Sequence, residues 1–262
     1  EISECLVGSE MCIRDRKERR NFWLEFDIRN HFKLGPVKYH NVVASIKGTK
    51  YPDEYVIISG HLDSYDVATG GIDCGTGIGP MMEAARMIAL SGAKPKRTIL
   101  FVAFAGEEFG LLGAKAYVKT HAKELGKIAN LFNRDGGPTP PVGISVPQAM
   151  YDDFVEVCKP VKEIRADYPF EVKVAKPFKR PTQSGGTDAS VFAVEGVPTF
   201  GFNTQDIKGY NFSYGEIWHT ERDLYTKNIP EYQEHAATVT AVVALGIANL
   251  SKQLSREGMH KK

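Results

Sequence analysis

His61, Asp73, Glu108, Asp135 and His219 are the residues whose types could do chemistry together, with Glu107 beside them. They offer ring nitrogens and carboxylate oxygens and no thiolate, a donor mix that suits zinc, manganese or cobalt. Apart from Glu107-Glu108, no two are close enough in sequence to form a short motif, so only a fold can bring them together. The chemistry they would support is metal-assisted hydrolysis. Each ion of a hydrolytic pair needs about three protein ligands and a shared water, with the ions roughly 3.5–4 Å apart. Five side chains can serve two ions if one carboxylate bridges them. Taken singly, each residue has an ordinary reading. An isolated His61 is most simply a structural histidine, and Asp135 could open the turn at Gly136-Gly137. Glu107-Glu108 could start a solvated helix, where acids suit the first turn, and His219 beside Trp218 could pack an aromatic loop. His31, His40, His121, His235 and His260 read as surface or packing residues.

Four of the five candidate ligands end a predicted strand or follow one closely. The apolar run Tyr55 to Ser59 reads as a buried strand, ended by Gly60 and followed by His61-Leu62-Asp63. A Gly-rich loop then carries Asp73, and a helical pattern begins near Gly77. Thr98 to Ala105 is a continuous apolar run, as expected of a central strand covered on both faces, and Gly106-Glu107-Glu108 stands at its end. Ile128 to Asn133 is another strand, followed by Arg134-Asp135. Ligands of α/β sheets gather outside the carboxyl ends of the strands, where these residues fall.

Further strands are expected at Phe22–Ile28, Asn41–Ile46, Phe170–Val174 and Pro198–Phe202, with a turn at Lys50–Glu54 around Pro52-Asp53. Helices are expected at Met81–Leu90, Leu111–His121, Gln148–Val157, after Asp188, and from about Glu231 to Leu254. Pro138–Pro141 reads as a loop, Phe212–Asp223 as an aromatic-rich loop, and the tail from Arg256 as frayed. Alternating strands and helices argue for an α/β fold with a largely parallel sheet between helical layers. Residues 1–16 (EISECLVGSEMCIRDR) show no periodicity and read as a non-native or disordered, adapter-like tail. That leaves 17–256 as one catalytic domain and 257–262 as the frayed end.

The 262 residues are 42% hydrophobic, and 33 basic against 32 acidic residues give a net charge of +1. That balance gives no reason to expect nucleic acid or a membrane surface as partner. No apolar stretch is long enough for a membrane span, and no signal peptide is visible. Cys5, Cys12, Cys74 and Cys158 match no zinc motif and no disulfide framework. The glycines at 70–77 lack the lysine of a P-loop and the spacing of a dinucleotide fingerprint. Residues 176–180 form a short basic loop, read as solvated. Phe212, Tyr214 and Trp218 could line a pocket or pack their own loop.

In order, the motifs are Gly60-His61-Leu62-Asp63-Ser64, then Asp73-x-Gly-x-Gly, then Gly106-Glu107-Glu108, Asp135 after a strand, and a late His219-Thr220. Together they resemble the co-catalytic zinc exopeptidases of the aminopeptidase Y and glutamate carboxypeptidase group, in particular the carboxypeptidase Q-like branch, over about Phe22 to Arg256. The resemblance implies a three-layer α/β/α fold with a mixed, mostly parallel central sheet, and two zinc ions per chain. It implies that His61 and Asp135 hold one ion, Glu108 and His219 the other, and that Asp73 bridges them. Glu107 would be the general base, taking a proton from a bridging water and passing it to the leaving amine. Peptides or dipeptides would be the substrates, cut at a terminal bond. Aminopeptidase, carboxypeptidase and dipeptidase activity are not separated by these residues. Export to a periplasm or the extracellular space is implied too. Because that branch often carries more sequence upstream, the chain reads as an N-terminally truncated fragment.

Around the ligands, Gly106 and Gly110 permit the kink that would let both glutamates face one site. Asp63, two residues past His61, is expected to accept a hydrogen bond from the ring's far nitrogen, and Asp223 to do the same for His219. Two departures stand out. Cys74 occupies a position where the group usually has Asp or Asn. Ser184–Phe192 resembles the group's SGGSDHASF loop but has Ala189 in place of its His. Two other readings share the sequence: a single-zinc amide-processing enzyme of the same fold, like glutaminyl cyclases, and an inactive binding domain.

Overall fold

The apolar run at 55–59 forms the buried half of an eleven-residue strand, β2 (Tyr51–His61), with partners on both sides. The computed structural model describes residues 35–261 continuously, with 17, 18, 27, 29 and 31 before them. The expected tail at 1–16 and most of the expected strand Phe22–Ile28 lie outside the described residues. The chain divides into units of 1–38 and 39–262, and every element named below belongs to the second.

The main sheet has the order β1-β3-β2-β4, with β1 (Val42–Ile46), β3 (Arg97–Phe104) and β4 (Ile128–Asn133). β3 and β4 run parallel to β2, and β1 is an antiparallel edge. Ser59 pairs with both Val102 and Asn133, and His61 with Phe104. The three parallel strands therefore end level, and whatever follows each of them meets at one edge.

Side chains alternate across a strand, and here both faces are covered. Val56, Ile58 and Phe101 pack with Ala84 and Ile88 of helix α1 (Gly75–Leu90), Phe154 and Val161 of α3 (Gln148–Ile164), and Val243 and Ile247 of α5 (Pro230–Asn249). Ile57, Val102 and Phe104 face Tyr117 and Val118 of α2 (Leu112–Thr120) and Phe192 of α4 (Asp188–Val194). This is the three-layer arrangement, and it explains why β3 and the buried half of β2 read as apolar runs. Each fully buried aliphatic or aromatic side chain contributes roughly 1.5–3 kcal/mol.

The sheet is split rather than single. β5 (Pro141–Val146) pairs in parallel with β6 (Glu171–Val174) and antiparallel with β7 (Phe202–Thr204) in a separate three-stranded sheet. The buried Asn130 side chain joins β4 to the chain before β7. It donates to the Phe200 carbonyl and accepts the Phe200 N–H, both at 3.0 Å.

Several boundaries differ from the sequence reading. The expected turn at Lys50–Glu54 is a bulged start of β2, where Tyr51 pairs with Arg97 and Tyr55 with Thr98. Arg97 holds it: the buried guanidinium donates to Glu54 (2.6 Å) and to the Leu250 carbonyl (2.7 Å). β5 begins at Pro141, where a loop was expected. α3 runs on to Ile164 through Pro160, and α5 stops at Asn249. The last strand lies at Phe202–Thr204 instead of Pro198–Phe202. The end of the chain is anchored instead of frayed. Arg256 donates to the carbonyls of Ile128 (2.8 Å) and Leu125 (3.2 Å), and Met259 is 3% exposed.

His235, expected to be a packing residue, is a core histidine of α5. It is 0% exposed, donates from Nε2 to the Pro141 carbonyl at 2.8 Å, and stacks on Tyr168 at 3.9 Å. Burial pushes its pKa down to about 4. Below the ordinary value of about 6.5 the unfolded chain takes up a proton that the folded chain refuses. Stability is thus lost as pH falls from that value toward 4. His235→Gln, which keeps a donor for Pro141, is expected to reduce the stability difference between pH 7 and pH 4.5 by on the order of 2–3 kcal/mol. Urea unfolding at the two pH values measures it, and an unchanged difference would remove His235 as the cause.

Candidate metal centre

The level ends of β2, β3 and β4 deliver His61, the Glu107-Glu108 pair and Asp135 to one edge. His61 is the last residue of β2, and its ring is 1% exposed. Nδ1 donates to the Asp63 backbone carbonyl at 2.9 Å. A carbonyl can only accept, so Nε2 is the nitrogen turned to the carboxylates, 2.9 Å from Asp73 Oδ1 and 3.4 Å from Asp135 Oδ1. Burial pushes the His61 pKa down, but the bonds to Asp135 and Asp73 outweigh it and the net shift is upward.

The Asp63 carboxylate does not orient His61 as expected; its Oδ1 is 3.9 Å from Nδ1. The chain bends after β2, where the Leu62 N–H donates to the Phe104 carbonyl at 2.7 Å. The carboxylate instead accepts the N–H groups of Glu107 and Glu108, both at 3.1 Å. Asp63 therefore fixes the turn that follows β3. That turn uses left-handed backbone at Gly106 (φ +70) and Gly110 (φ +109), the kink expected from these glycines.

Asp73 sits in the Gly-rich loop before α1. Its Oδ2 accepts the Tyr214 hydroxyl at 2.7 Å. Burial pushes its pKa up, but the hydrogen bonds from His61 and Tyr214 win and hold it below the usual carboxylate value. The Asp73-Cys74 peptide is cis. Asp223 holds this loop and not His219. Its carboxylate, 1% exposed, accepts the N–H groups of Ile72 (2.6 Å) and Asp73 (3.1 Å). The fit is close: a Cβ on Gly71 would lie 2.3 Å from the Leu224 carbonyl carbon, so only glycine allows the two loops to meet.

His219 has left-handed backbone (φ 58) and stacks on Tyr65 at 4.1 Å. Its Nε2 lies 2.9 Å from Glu108 Oε2. Burial and the neighbouring Asp73 push the Glu108 pKa up. Glu107 is pushed up to about 8, by burial first and then by Asp135. The five predicted ligands and Glu107 are thus brought to one place. Asp73, Glu107, Glu108, Asp135 and His219 border a cleft of about 520 Å³ that also touches Leu111, Lys115, Gly185, Tyr214 and Trp218, and His61 lies buried behind Asp73 and Asp135.

Two residues at the site were not predicted for it. Tyr214 was read only as a pocket or packing residue, and it bonds to Asp73. Asp188 is 0% exposed with neither oxygen hydrogen-bonded, and burial pushes it up to about 7. In sequence it lies in the Ser184–Phe192 stretch that resembles the group's loop, but no role is read for it there; its burial is what marks it.

The donors fit a transition-metal cation. The ligand atoms of His61, Asp73 and Glu108 lie within 4.8 Å of one another, as do those of His61, Cys74 and Asp135. Glu108 Oε1 is buried without a partner, like both Asp188 oxygens. Buried carboxylate oxygens without donors are costly, and among the described residues no lysine or arginine forms an ion pair with these acids. A cation would balance them. No helix among the described residues is long and apolar enough to cross a membrane.

Residues 41–243 match the sequence model of Peptidase family M28. Carboxypeptidase Q of Rattus norvegicus is 32% identical over 231 residues, which is 86% of this chain and 46% of that protein. The crystal structure of a peptidase M28 precursor from Shewanella amazonensis SB2B is 33% identical with a TM-score of 0.69, over 82% of this chain and 46% of that one. BSAP, a zinc aminopeptidase from Bacillus subtilis, shares the fold with a TM-score of 0.61 at 21% identity, over 84% of this chain and 53% of its own. The chain spans about half the length of these relatives.

Proposed function

Because the chain belongs to peptidase family M28, we propose that it is a zinc exopeptidase that hydrolyses a terminal peptide bond. The observation that carries this reading is the convergence of Asp73, Glu108, Asp135 and His219 on one cleft, with Glu107 among them and the buried His61 ring against Asp73 and Asp135. His61 and Asp135 would hold one zinc ion, Glu108 and His219 a second, and Asp73 would lie between them. The buried Glu108 Oε1, which has no hydrogen-bond donor, supports a cation there.

When bound, the ions supply an acidified water and Lewis-acid polarisation of the scissile carbonyl. The chain's own residues do the rest. The Asp63 carbonyl fixes the His61 tautomer so that Nε2 faces the ligand position. The Asp63 carboxylate sets the Glu107-Glu108 turn. Glu107 accepts the proton of the attacking water and returns it to the leaving amine. Tyr214 orients the Asp73 carboxylate, which would lie between the ions, and Trp218 and Leu111 line the cleft that would receive the substrate.

The test is hydrolysis of dipeptides and of end-blocked peptides by the purified chain. Activity is expected to be abolished by a chelator and restored by zinc. One-ended blocking that abolishes cleavage tells which terminus is read. Folded, zinc-loaded protein that cleaves none of these peptides would overturn the proposal.

A further inference from the structure

Cys74 is buried, and it is not in the five-residue ligand set. Its Sγ donates to the Arg134 carbonyl at 3.0 Å. The sulfur sits in a slot between two glycines: a Cβ would come within 3.2 Å of it at Gly60 and 2.5 Å at Gly77. Gly60 precedes His61, so the slot opens beside that ring. The donor atoms of His61, Cys74 and Asp135 lie within 4.8 Å of one another. Donors on one tetrahedral zinc lie roughly 3–4 Å apart, so small side-chain shifts close this set on a single ion. Asp188, which follows the cleft-lining residues Ser184, Gly185 and Gly186, is fully buried with neither carboxyl oxygen hydrogen-bonded. Buried carboxyl oxygens without donors are costly, and a cation nearby would offset that cost.

We propose that Cys74 is a metal ligand, its thiolate joining His61 and Asp135 on one ion of the pair. The inference rests on the proposed metal pair and adds a soft donor to it. On loading, the S–H bond breaks, the proton leaves to solvent, and a sulfur lone pair binds the ion. The bond to the Arg134 carbonyl is given up, and nothing is oxidised or reduced. A thiolate tilts the site toward soft ions.

The experiment uses the chelator-stripped full chain loaded with cobalt(II). The wild type is expected to show a near-ultraviolet thiolate-to-cobalt charge-transfer band. Cys74→Ser and Cys74→Asp are expected to bind cobalt without that band, with cadmium-over-manganese preference reduced at least about tenfold. Zinc loading of the wild type should release one proton more per chain than loading of Cys74→Ser. Should both variants fail to fold, a chain with Cys5→Ser, Cys12→Ser and Cys158→Ala, in which Cys74 is the sole thiol, decides by the presence or absence of the band. Cobalt bound with no band overturns the role of Cys74 and leaves the metal pair standing. Folded protein that binds no cobalt overturns both.

Discussion

Glu107→Gln is expected to lower kcat by about 10²–10⁴-fold, the usual contribution of a positioned general base, while the bound metal stays unchanged. Gln is isosteric and keeps the backbone N–H that the Asp63 carboxylate accepts, so the turn after β3 and the placement of Glu108 survive. What is lost is the acceptor. An amide cannot take a proton from the attacking water or hand one to the leaving amine. Because Glu107 is not among the proposed ligands, KM and zinc content are expected to match the wild type. A fall in kcat with metal retained separates loss of chemistry from loss of the site. Turnover at the wild-type rate would remove Glu107 from the mechanism.

Asp73→Ala is expected to do the reverse: it removes the metal and the activity follows. Asp73 touches His61 through one oxygen and Tyr214 through the other, and it is the carboxylate proposed to serve both ions. Outer hydrogen-bond partners of metal ligands are worth 10–100-fold in affinity, so a shared ligand should cost both ions at least about 100-fold. Competition with a chromophoric chelator measures this. The fold is expected to persist, because the loop is still held by the Asp223 carboxylate on the N–H groups of residues 72 and 73. A folded Asp73→Ala protein that keeps two ions at wild-type affinity would take the bridging role from Asp73.

The parts of the fold that could be read from the sequence were those with one-dimensional signals. Residues 55–59 and 98–104 are apolar without interruption because their sheet is covered on both faces, and the residues just past their ends are the site. The glycines at 106 and 110 announced a kink that the backbone adopts. What could not be read depends on distant contacts. Proximity in sequence paired Asp63 with His61 and Asp223 with His219, yet the bend at Leu62 turns Asp63 toward residues 107 and 108. Asp223 meets a loop 150 residues away in the chain. The bulged start of β2 is set by Arg97, a partner that Pro52-Asp53 cannot reveal. β5 opens on a proline and belongs to a second small sheet whose strands are short and partly exposed, so its pattern is weak. Asp188 lies in the stretch Ser184–Phe192 that resembles the group's loop, but nothing in that stretch tells that its carboxylate is buried without a partner.

The most direct test of the central claim is anomalous diffraction at the zinc edge from crystals of the chain grown with zinc. The expected result is two peaks roughly 3.5–4 Å apart, enclosed by His61, Asp73, Glu108, Asp135 and His219. A single peak, peaks elsewhere, or none in well-ordered crystals grown with zinc would contradict it.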